Sequence, residues 1–295
     1  MPPSRGGPSR TPTSRSVAGP PRGASSRSYP VPPGATQRRV QFKNRFNENL
    51  VGIFVESQSP SAVILCHGFA SHKDWPHYPL VAAELAKRSV CSLRFDFSGN
   101  GESQGVFEFG NYAKEVGEVR AAVEYVRGQL GKKVVGLAGH SKGGNVVLLY
   151  TSQHDDVPLV VNIAGRFEMT RGIAERFGAD IFQKLEKHGK VEMTQRLRPE
   201  EGGGGQFKWT LTKQSMAERM NTDMEAAARK IKLSEVLTVH GTADQVIPVE
   251  DSQRFSECIK PHSLFTIDDA NHNFANPVHA QAMIQKITNF FTSGL

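Results

Sequence analysis

Two stretches of the sequence place a serine where acyl chemistry could happen, each with glycine two positions before and two after it: Gly101-Glu102-Ser103-Gln104-Gly105 and Gly139-His140-Ser141-Lys142-Gly143. A serine that attacks a carbonyl must project from a tight strand-to-helix turn, and only small residues at those flanking positions let the backbone pass. At ordinary glycine usage about 0.1 to 0.2 chance matches are expected in a chain of this length, so the pattern alone decides little. Context separates the two. Ser141 directly follows the apolar run Val134 to Ala138 and directly precedes Gly143-Gly144 and the helical run Asn145 to Tyr150. Ser103 lies in the polar stretch that begins at Ser98, several residues past its strand, and no helix starts at Gln104. It reads as a loop residue whose neighbouring glycines shape the backbone.

A serine hydroxyl becomes an effective nucleophile only when a base takes its proton and a carboxylate holds that base in the right tautomer. In hydrolases built on such an elbow, the acid and then the histidine follow the serine along the chain. Of the histidines beyond Ser141, His154 trails the elbow helix, His188 lies in an irregular middle segment, His240 ends a strand, His262 precedes one and His279 sits on the last helix. His272 alone occupies the loop after the last strand. Asp244 follows the strand before that one, in a loop of small residues. Asp268 and Asp269 are too near His272 in sequence to reach its far nitrogen, and Asp251 starts a helix. The negative oxygen of a tetrahedral intermediate needs backbone N–H donors. One is the Lys142 amide, directly after the serine; the other is the Phe69 amide in His67-Gly68-Phe69, after the run Ala62 to Cys66. His67 reads as a hydrogen-bonding loop residue rather than a base.

These residues need a scaffold that brings strand ends together. Val40 to Phe42 and Leu50 to Val55 flank Asn47-Glu48-Asn49 as a hairpin. After it, apolar runs at Ala62–Cys66, Val90–Phe95, Val134–Ala138, Leu159–Ile163, Val236–Val239 and Leu264–Ile267 alternate with amphipathic stretches. The alternation predicts an α/β fold, a mostly parallel sheet with helices on both faces, whose reacting residues sit in loops at the carboxyl ends of strands. Between about 166 and 232 the alternation stops. Ile173, Phe177, Ile181 and Leu185 fall at four-residue spacing, a glycine run occupies Gly202 to Gly205, and Met216, Met220 and Met224 form a second stripe. The segment reads as an inserted helical cap. Both stripes are expected to pack cap onto core, with an adaptable methionine-lined acyl pocket as the alternative.

Composition removes several classes. The net charge of +7 is concentrated at the start: nine Lys/Arg and no Asp/Glu occur through Asn47, leaving 27 basic and 29 acidic residues beyond it. A folded part without basic excess is not expected to bind nucleic acid. No apolar stretch approaches the roughly 20 residues of a membrane span, and the N-terminus has no apolar signal core, so no integral membrane association and a cytoplasmic location are expected. The 36 N-terminal residues hold nine of the 17 prolines, with seven serines and five arginines. They read as a disordered tail or, alternatively, a transit peptide to a plastid or other organelle, with the folded domain at 37–295. Three cysteines without C-x-x-C spacing read as reduced thiols. The cap carries 14 basic and 10 acidic residues, a hint toward anionic ligands set against an ordinary solvated face.

His67-Gly68-Phe69, the stretch Asp96 to Ser103, Gly139 to Gly144, His240 to Asp244 and Asn271-His272 together resemble the serine aminopeptidase S33-like α/β hydrolases. They are most similar to a plant-type, uncharacterised branch related to feruloyl (cinnamoyl) esterases and monoglyceride lipases. The resemblance spans about Val40 to Phe291. It implies Ser141, Asp244 and His272 as a catalytic triad, Phe69 and Lys142 as the oxyanion hole, Gly139, His140 and Gly143 as the nucleophile elbow, no metal and no cofactor. The expected function is hydrolysis of a small-molecule carboxylic ester through an acyl-enzyme. Thioesterase, lysophospholipase or peptidase activity, or a non-turnover small-molecule receptor on the same scaffold, are the alternatives.

Overall fold

Ser61–Cys66 is buried at every position, which a strand tolerates only when both faces of its sheet are covered. In the computed structural model, which describes residues 29–197 and 205–293, it is the third of ten strands. They are β1 (Thr36–Lys43), β2 (Asn49–Glu56), β3 (Ser61–Cys66), β4 (Cys91–Phe95), β5 (Lys133–His140), β6 (Leu159–Ile163), β7 (Lys190–Leu197), β8 (Gly205–Thr212), β9 (Glu235–Gly241) and β10 (His262–Ile267). Eight form one sheet in the order β1-β2-β4-β3-β5-β6-β9-β10. The hairpin β1–β2 enters antiparallel and β2 pairs antiparallel with β4; every later neighbour is parallel. The carboxyl ends of β3, β5, β9 and β10 therefore open on one edge of the sheet.

Helices α1 (Tyr78–Lys87) and α9 (Pro277–Thr292) cover one face; α2 (Tyr112–Gly128), α3 (Lys142–His154), α7 (Met224–Lys230) and α8 (Glu250–Cys258) cover the other. Two buried clusters follow from this. Val116, Val119, Val146, Val147 and Phe255 meet the sheet on the α3 side, and Val81, Leu85, Met283, Ile287 and Phe291 meet it on the α1 side. No helix of the described residues is long and apolar enough to cross a membrane.

The insert between β6 and β9 departs from the helical expectation. It holds α4 (Ile173–Phe177), α5 (Ile181–His188) and α6 (Lys213–Met220), but also the antiparallel pair β7–β8. On β8, Phe207, Trp209 and Leu211 point inward at period two while their neighbours are exposed or half-buried, the signature of a half-buried strand. Of the glycine run at Gly202 to Gly205, the first three residues lie outside the described residues and Gly205 begins β8. The stripe Ile173, Phe177, Ile181 and Leu185 is split over two helices by Gly178, whose φ is 95°. Of the second stripe, Met216 and Met224 are buried and Met220 is half exposed. All three lie outside the lining of the cavity beside Ser141: Met216 and Met224 pack into the buried clusters, and Met220 and Met224 border a separate cavity. Ile173, Ile181, Leu185, Trp209 and Met216 instead close a third cluster over Phe107 and Phe109 of the sheet domain.

Of the segment expected as a tail, residues 1–28 lie outside the described residues. Val31 and Ala35 do not behave as tail, because both pack against Val55, Ala82 and Ala86 at the sheet's edge, and the Gln37 side chain donates to the Tyr29 carbonyl (3.2 Å). Removing residues 1–36 is therefore expected to cost about 1–2 kcal/mol of stability relative to removing 1–28, the scale of unburying two small apolar side chains. Urea denaturation of the two truncated proteins measures the difference; coincident midpoints would show that Val31 and Ala35 contribute nothing.

Candidate active site

The chain leaves β5 at His140 and enters α3 at Lys142, so Ser141 alone makes the turn, with φ 56° and ψ −120°. Such backbone angles cost a non-glycine residue about 1–3 kcal/mol and persist only where surroundings enforce them. Here the Ser141 amide donates to the Ile163 carbonyl of β6 at 2.8 Å, and the turn is pressed flat against its neighbours. A Cβ on Gly139 would lie 2.1 Å from the Gly143 carbonyl oxygen, and one on Gly143 would lie 2.2 Å from that of Cys66. No side chain fits at either position.

The structure brings the three distant residues together. His272 Nε2 lies 3.0 Å from Ser141 Oγ, and its Nδ1 lies 2.7 Å from Asp244 Oδ2. A carboxylate accepts only, so Nδ1 carries the hydrogen and Nε2 is left to accept from the serine hydroxyl. Asp244 Oδ1 accepts from the Val246 and Ile247 amides at 2.8 and 2.9 Å. Burial alone would raise the Asp244 carboxyl. Hydrogen bonds from His240, His272 and the Ile247 amide outweigh it and hold the group well below the usual carboxylate range. Burial lowers the His272 imidazole from 6.5, and Asp244 only partly restores it.

Two further histidines, His240 at the end of its strand and the elbow residue His140, frame this line. His240, fully buried, sits with Nε2 3.0 Å from the Ile247 carbonyl and 3.2 Å from Asp244 Oδ2, so its N–H serves both the acid and the loop that holds it. His140 stacks on Trp75 with ring centroids 4.1 Å apart and donates through Nε2 to the His272 carbonyl at 2.9 Å. Burial, reinforced by the nearby His272, drives its pKa well below 6.5. The only sequence signal for these roles is proximity: His240 stands four residues before the acid and His140 one before the serine.

Phe69 and Lys142 lie against the same cavity as Ser141, which measures about 620 Å³. Among the described residues neither backbone amide has a protein acceptor, and Gly68 brings its loop close enough that a Cβ there would sit 3.1 Å from Ser141 Cβ. The Lys142 side chain turns away to Glu115 Oε1 at 2.7 Å, under the Tyr112 ring. Burial pushes the Glu115 carboxyl up to about 7 against the pull of Lys142. His67 is the loop residue expected of it: Nδ1 lies 2.9 Å from the Gly68 carbonyl and Nε2 accepts from the Phe97 amide at 3.0 Å. Burial lowers its pKa to about 4. Cys66, Cys91 and Cys258 are free thiols. Among the described residues no group of three or more His, Cys, Asp or Glu side chains is placed to hold a metal ion.

A parallel sheet, a strained serine between a strand and a helix, and an acid and a histidine at two further strand ends define an α/β hydrolase. Residues 57–234 match the model of the serine aminopeptidase S33 family, and the chain belongs to that family. It is 27% identical over 216 residues to the uncharacterized protein YfhR of Salmonella typhi, a match that covers 72% of this chain and 64% of YfhR. It is 25% identical over 209 residues to the putative esterase YitV of Bacillus subtilis, covering 68% of this chain and 74% of YitV. Among solved structures, Est1E of Butyrivibrio proteoclasticus with ferulic acid bound superposes with a TM-score of 0.67 at 22% identity, over 86% of this chain and 98% of Est1E. The Pyrococcus furiosus esterase Pf2001 gives 0.66 at 19% identity, over 88% and 92%.

The second glycine-flanked serine is held by its backbone surroundings. Ser103 Oγ donates to the Asp96 carbonyl at 2.6 Å and accepts from the Val51 amide at 2.9 Å. Ser103→Ala is expected to destabilise the fold by about 1–2 kcal/mol, since it orphans both groups, while leaving Ser141 chemistry in place. Thermal unfolding and ester turnover of the variant check this; unchanged stability with lost turnover would reverse the roles of the two serines.

Proposed function

We propose that this chain is a serine hydrolase that cleaves carboxylic esters through a covalent acyl-enzyme, with Ser141 as nucleophile, His272 as general base and Asp244 as the group that orients and charges the histidine. The observation that carries the reading is the unbroken line from Ser141 Oγ through His272 to Asp244, at 3.0 and 2.7 Å, opening on the cavity.

Ser141 Oγ attacks the carbonyl carbon while its proton passes to His272 Nε2. Asp244, held ionised by its donors, stabilises the imidazolium. The Lys142 and Phe69 amides receive the oxyanion, whose charge is stabilised most in a site that excludes water. Collapse of the intermediate expels the alcohol, which takes the proton from Nε2. Water, activated by the same imidazole, then releases the acid from Ser141. These groups complete the reaction without a cofactor. The substrate is a small acyl compound that the insert between Arg166 and Lys232 covers as a cap. Esters are preferred over amides in this reading because the relatives named above include putative and solved esterases.

Only neutral His272 accepts the serine proton, and its folded pKa lies below 6.5. Activity is therefore absent at low pH and gained as pH rises through that lowered value. A kcat/KM profile between pH 4 and 8 should show an acid limb with its midpoint below 6.5; a midpoint above 7, or a flat profile, excludes His272 as the base. A fluorophosphonate probe should label Ser141 alone, and Ser141→Ala should abolish labelling and lower kcat by on the order of 10⁶. Labelling that survives in that variant overturns the assignment.

A further inference from the structure

The cavity beside Ser141 is lined by five basic side chains, Lys142, Arg166, Arg171, Arg176 and Arg219, and by one acidic side chain, Glu175. Lys142 is paired from behind with Glu115. Arg166 and Arg219 are different, being only 7% and 8% exposed with no carboxylate within ion-pair distance among the described residues. Their hydrogen bonds go to carbonyls. Arg166 reaches the Val246 oxygen, and Arg219 reaches those of Met169 and Arg171, each at 3.0 Å.

Clamping the backbone explains these bonds but leaves two formal charges buried near one another. Burial and the field of Arg219 both depress the Arg166 pKa. The carboxylate fields that oppose this come from Asp251 and Asp244, and neither group forms an ion pair with Arg166: Asp251 Oδ2 accepts from the Phe167 and Glu168 amides at 2.8 and 3.3 Å while its Oδ1 is buried without a partner among the described residues, and Asp244 holds His272. Buried charges are ordinarily paired. A guanidinium fork also presents more N–H groups than these carbonyls use, in the planar geometry that carboxylate and phosphate match. Arg171 adds an exposed guanidinium on the same wall. Phe69, Phe109 and Tyr112 add aromatic surface to the same lining.

Resting on the serine-esterase reading, we infer that the substrate carries, besides its ester, a second ionised oxyanion group, a carboxylate or a phosphate, which Arg166, Arg219 and Arg171 bind in the cavity while Ser141 attacks the ester carbonyl. The net reaction is unchanged: one ester bond and one water give one acid and one alcohol, and the anionic group keeps its charge throughout.

Two matched pairs test this on the full chain. One places a carboxylate on the acyl side, the 4-nitrophenyl hemiester of adipic acid against its neutral methyl ester. The other places a phosphate on the alcohol side, 1-butanoylglycerol 3-phosphate against 1-butanoylglycerol. Each compound is assayed for kcat/KM and for its ability to slow fluorophosphonate labelling of Ser141, which reads occupancy even where turnover is slow. The charged member of one pair should be favoured by about tenfold or more at low salt, and which pair shows it identifies the source of the anion. The preference should shrink in 0.5 M NaCl through screening, on the order of several-fold. Arg171→Gln, at an exposed position where folding is not at stake, and Arg166→Gln should each bring the charged-to-neutral ratio toward one. Arg229→Gln, which pairs with Glu225 away from the cavity, should leave the ratio as it was. A probe that labels Ser141 while neither pair shows a charged advantage, in turnover or in protection, overturns the anion site and leaves the esterase standing. Loss of labelling altogether overturns the esterase reading itself.

Discussion

The backbone of Ser141 is held at angles that an L-residue avoids, φ 56° and ψ −120°, and much of the surrounding architecture serves to keep it there. Left to itself the residue would relax by about 1–3 kcal/mol, and the serine hydroxyl would swing away from the cavity. Three neighbours prevent it. The parallel strand β6 accepts the Ser141 amide, the carbonyl of Cys66 at the end of β3 leaves no space above Gly143, and α3 is anchored by Val146, Val147 and Leu148 in the larger core. The turn is thus tied to the central strands and to the helix that packs across them, so strain at one residue is offset by packing distributed over the fold. Gly139 and Gly143 are small because the backbone approaches at 2.1 and 2.2 Å allow no Cβ.

Electrostatics repeat the pattern of a costly local state held by many partners. Burying Asp244 would by itself favour the protonated carboxyl, yet two histidines and two amides surround it. In the proposed reaction this matters at one moment, when His272 becomes positively charged and needs an ionised partner. His140, beneath the same loop, is kept neutral by burial and by His272 itself. It donates a hydrogen bond to the His272 carbonyl without adding a competing positive charge. Two histidines in contact with the line from Ser141 to Asp244 therefore support it in different ways: His240 through the carboxylate and His140 through the backbone.

How much of this could be read from the sequence depended on whether the signal was local. Strands buried on both faces leave continuous apolar runs, and the parallel topology then forces the ends of β3, β5, β9 and β10 onto one edge. Phe69, Ser141, Asp244 and His272 could be expected near one another because each closely follows such a run, and the structure brings them together. The insert was misread although part of its signal was local. Phe207, Trp209 and Leu211 alternate with Lys208, Thr210 and Thr212 at the period of a half-buried strand, but the helical spacing on either side drew the whole segment into a helical reading. Four-residue spacing from Ile173 to Leu185 suggested one continuous stripe, but Gly178 at φ 95° ends the first helix after five residues. His240 illustrates a third case: at the end of an apolar strand it looked structural, and its link to Asp244 depends on a turn whose geometry no residue type announces.

The arginines were the least legible of all, and the reason bears on how the two halves of the molecule divide their work. Arg166, Arg171, Arg176 and Arg219 span more than fifty positions, and the excess of 14 basic over 10 acidic residues in the insert does not say that the excess faces inward. Folding concentrates it. Glu218, on the same helix as Arg219, accepts from the Asn111 and Ala113 amides at the start of α2, which seats α6 on the sheet domain and carries Arg219 over Phe109. Asn145 of α3 exchanges two hydrogen bonds with the backbone of Arg166, fixing that guanidinium relative to the elbow only four residues away. In the proposed reaction the reacting groups stand at strand ends, while the charge that would select the substrate comes mostly from the insert and the loop leading into it. Two residues of the insert and the loop leading into it reach back to that machinery: Arg176, whose charge adds to the lowering of the His272 pKa, and Arg166. Its contact with Val246 joins the cationic wall to the loop that holds the acid, so an anion bound there would press on the same loop that keeps Asp244 in place.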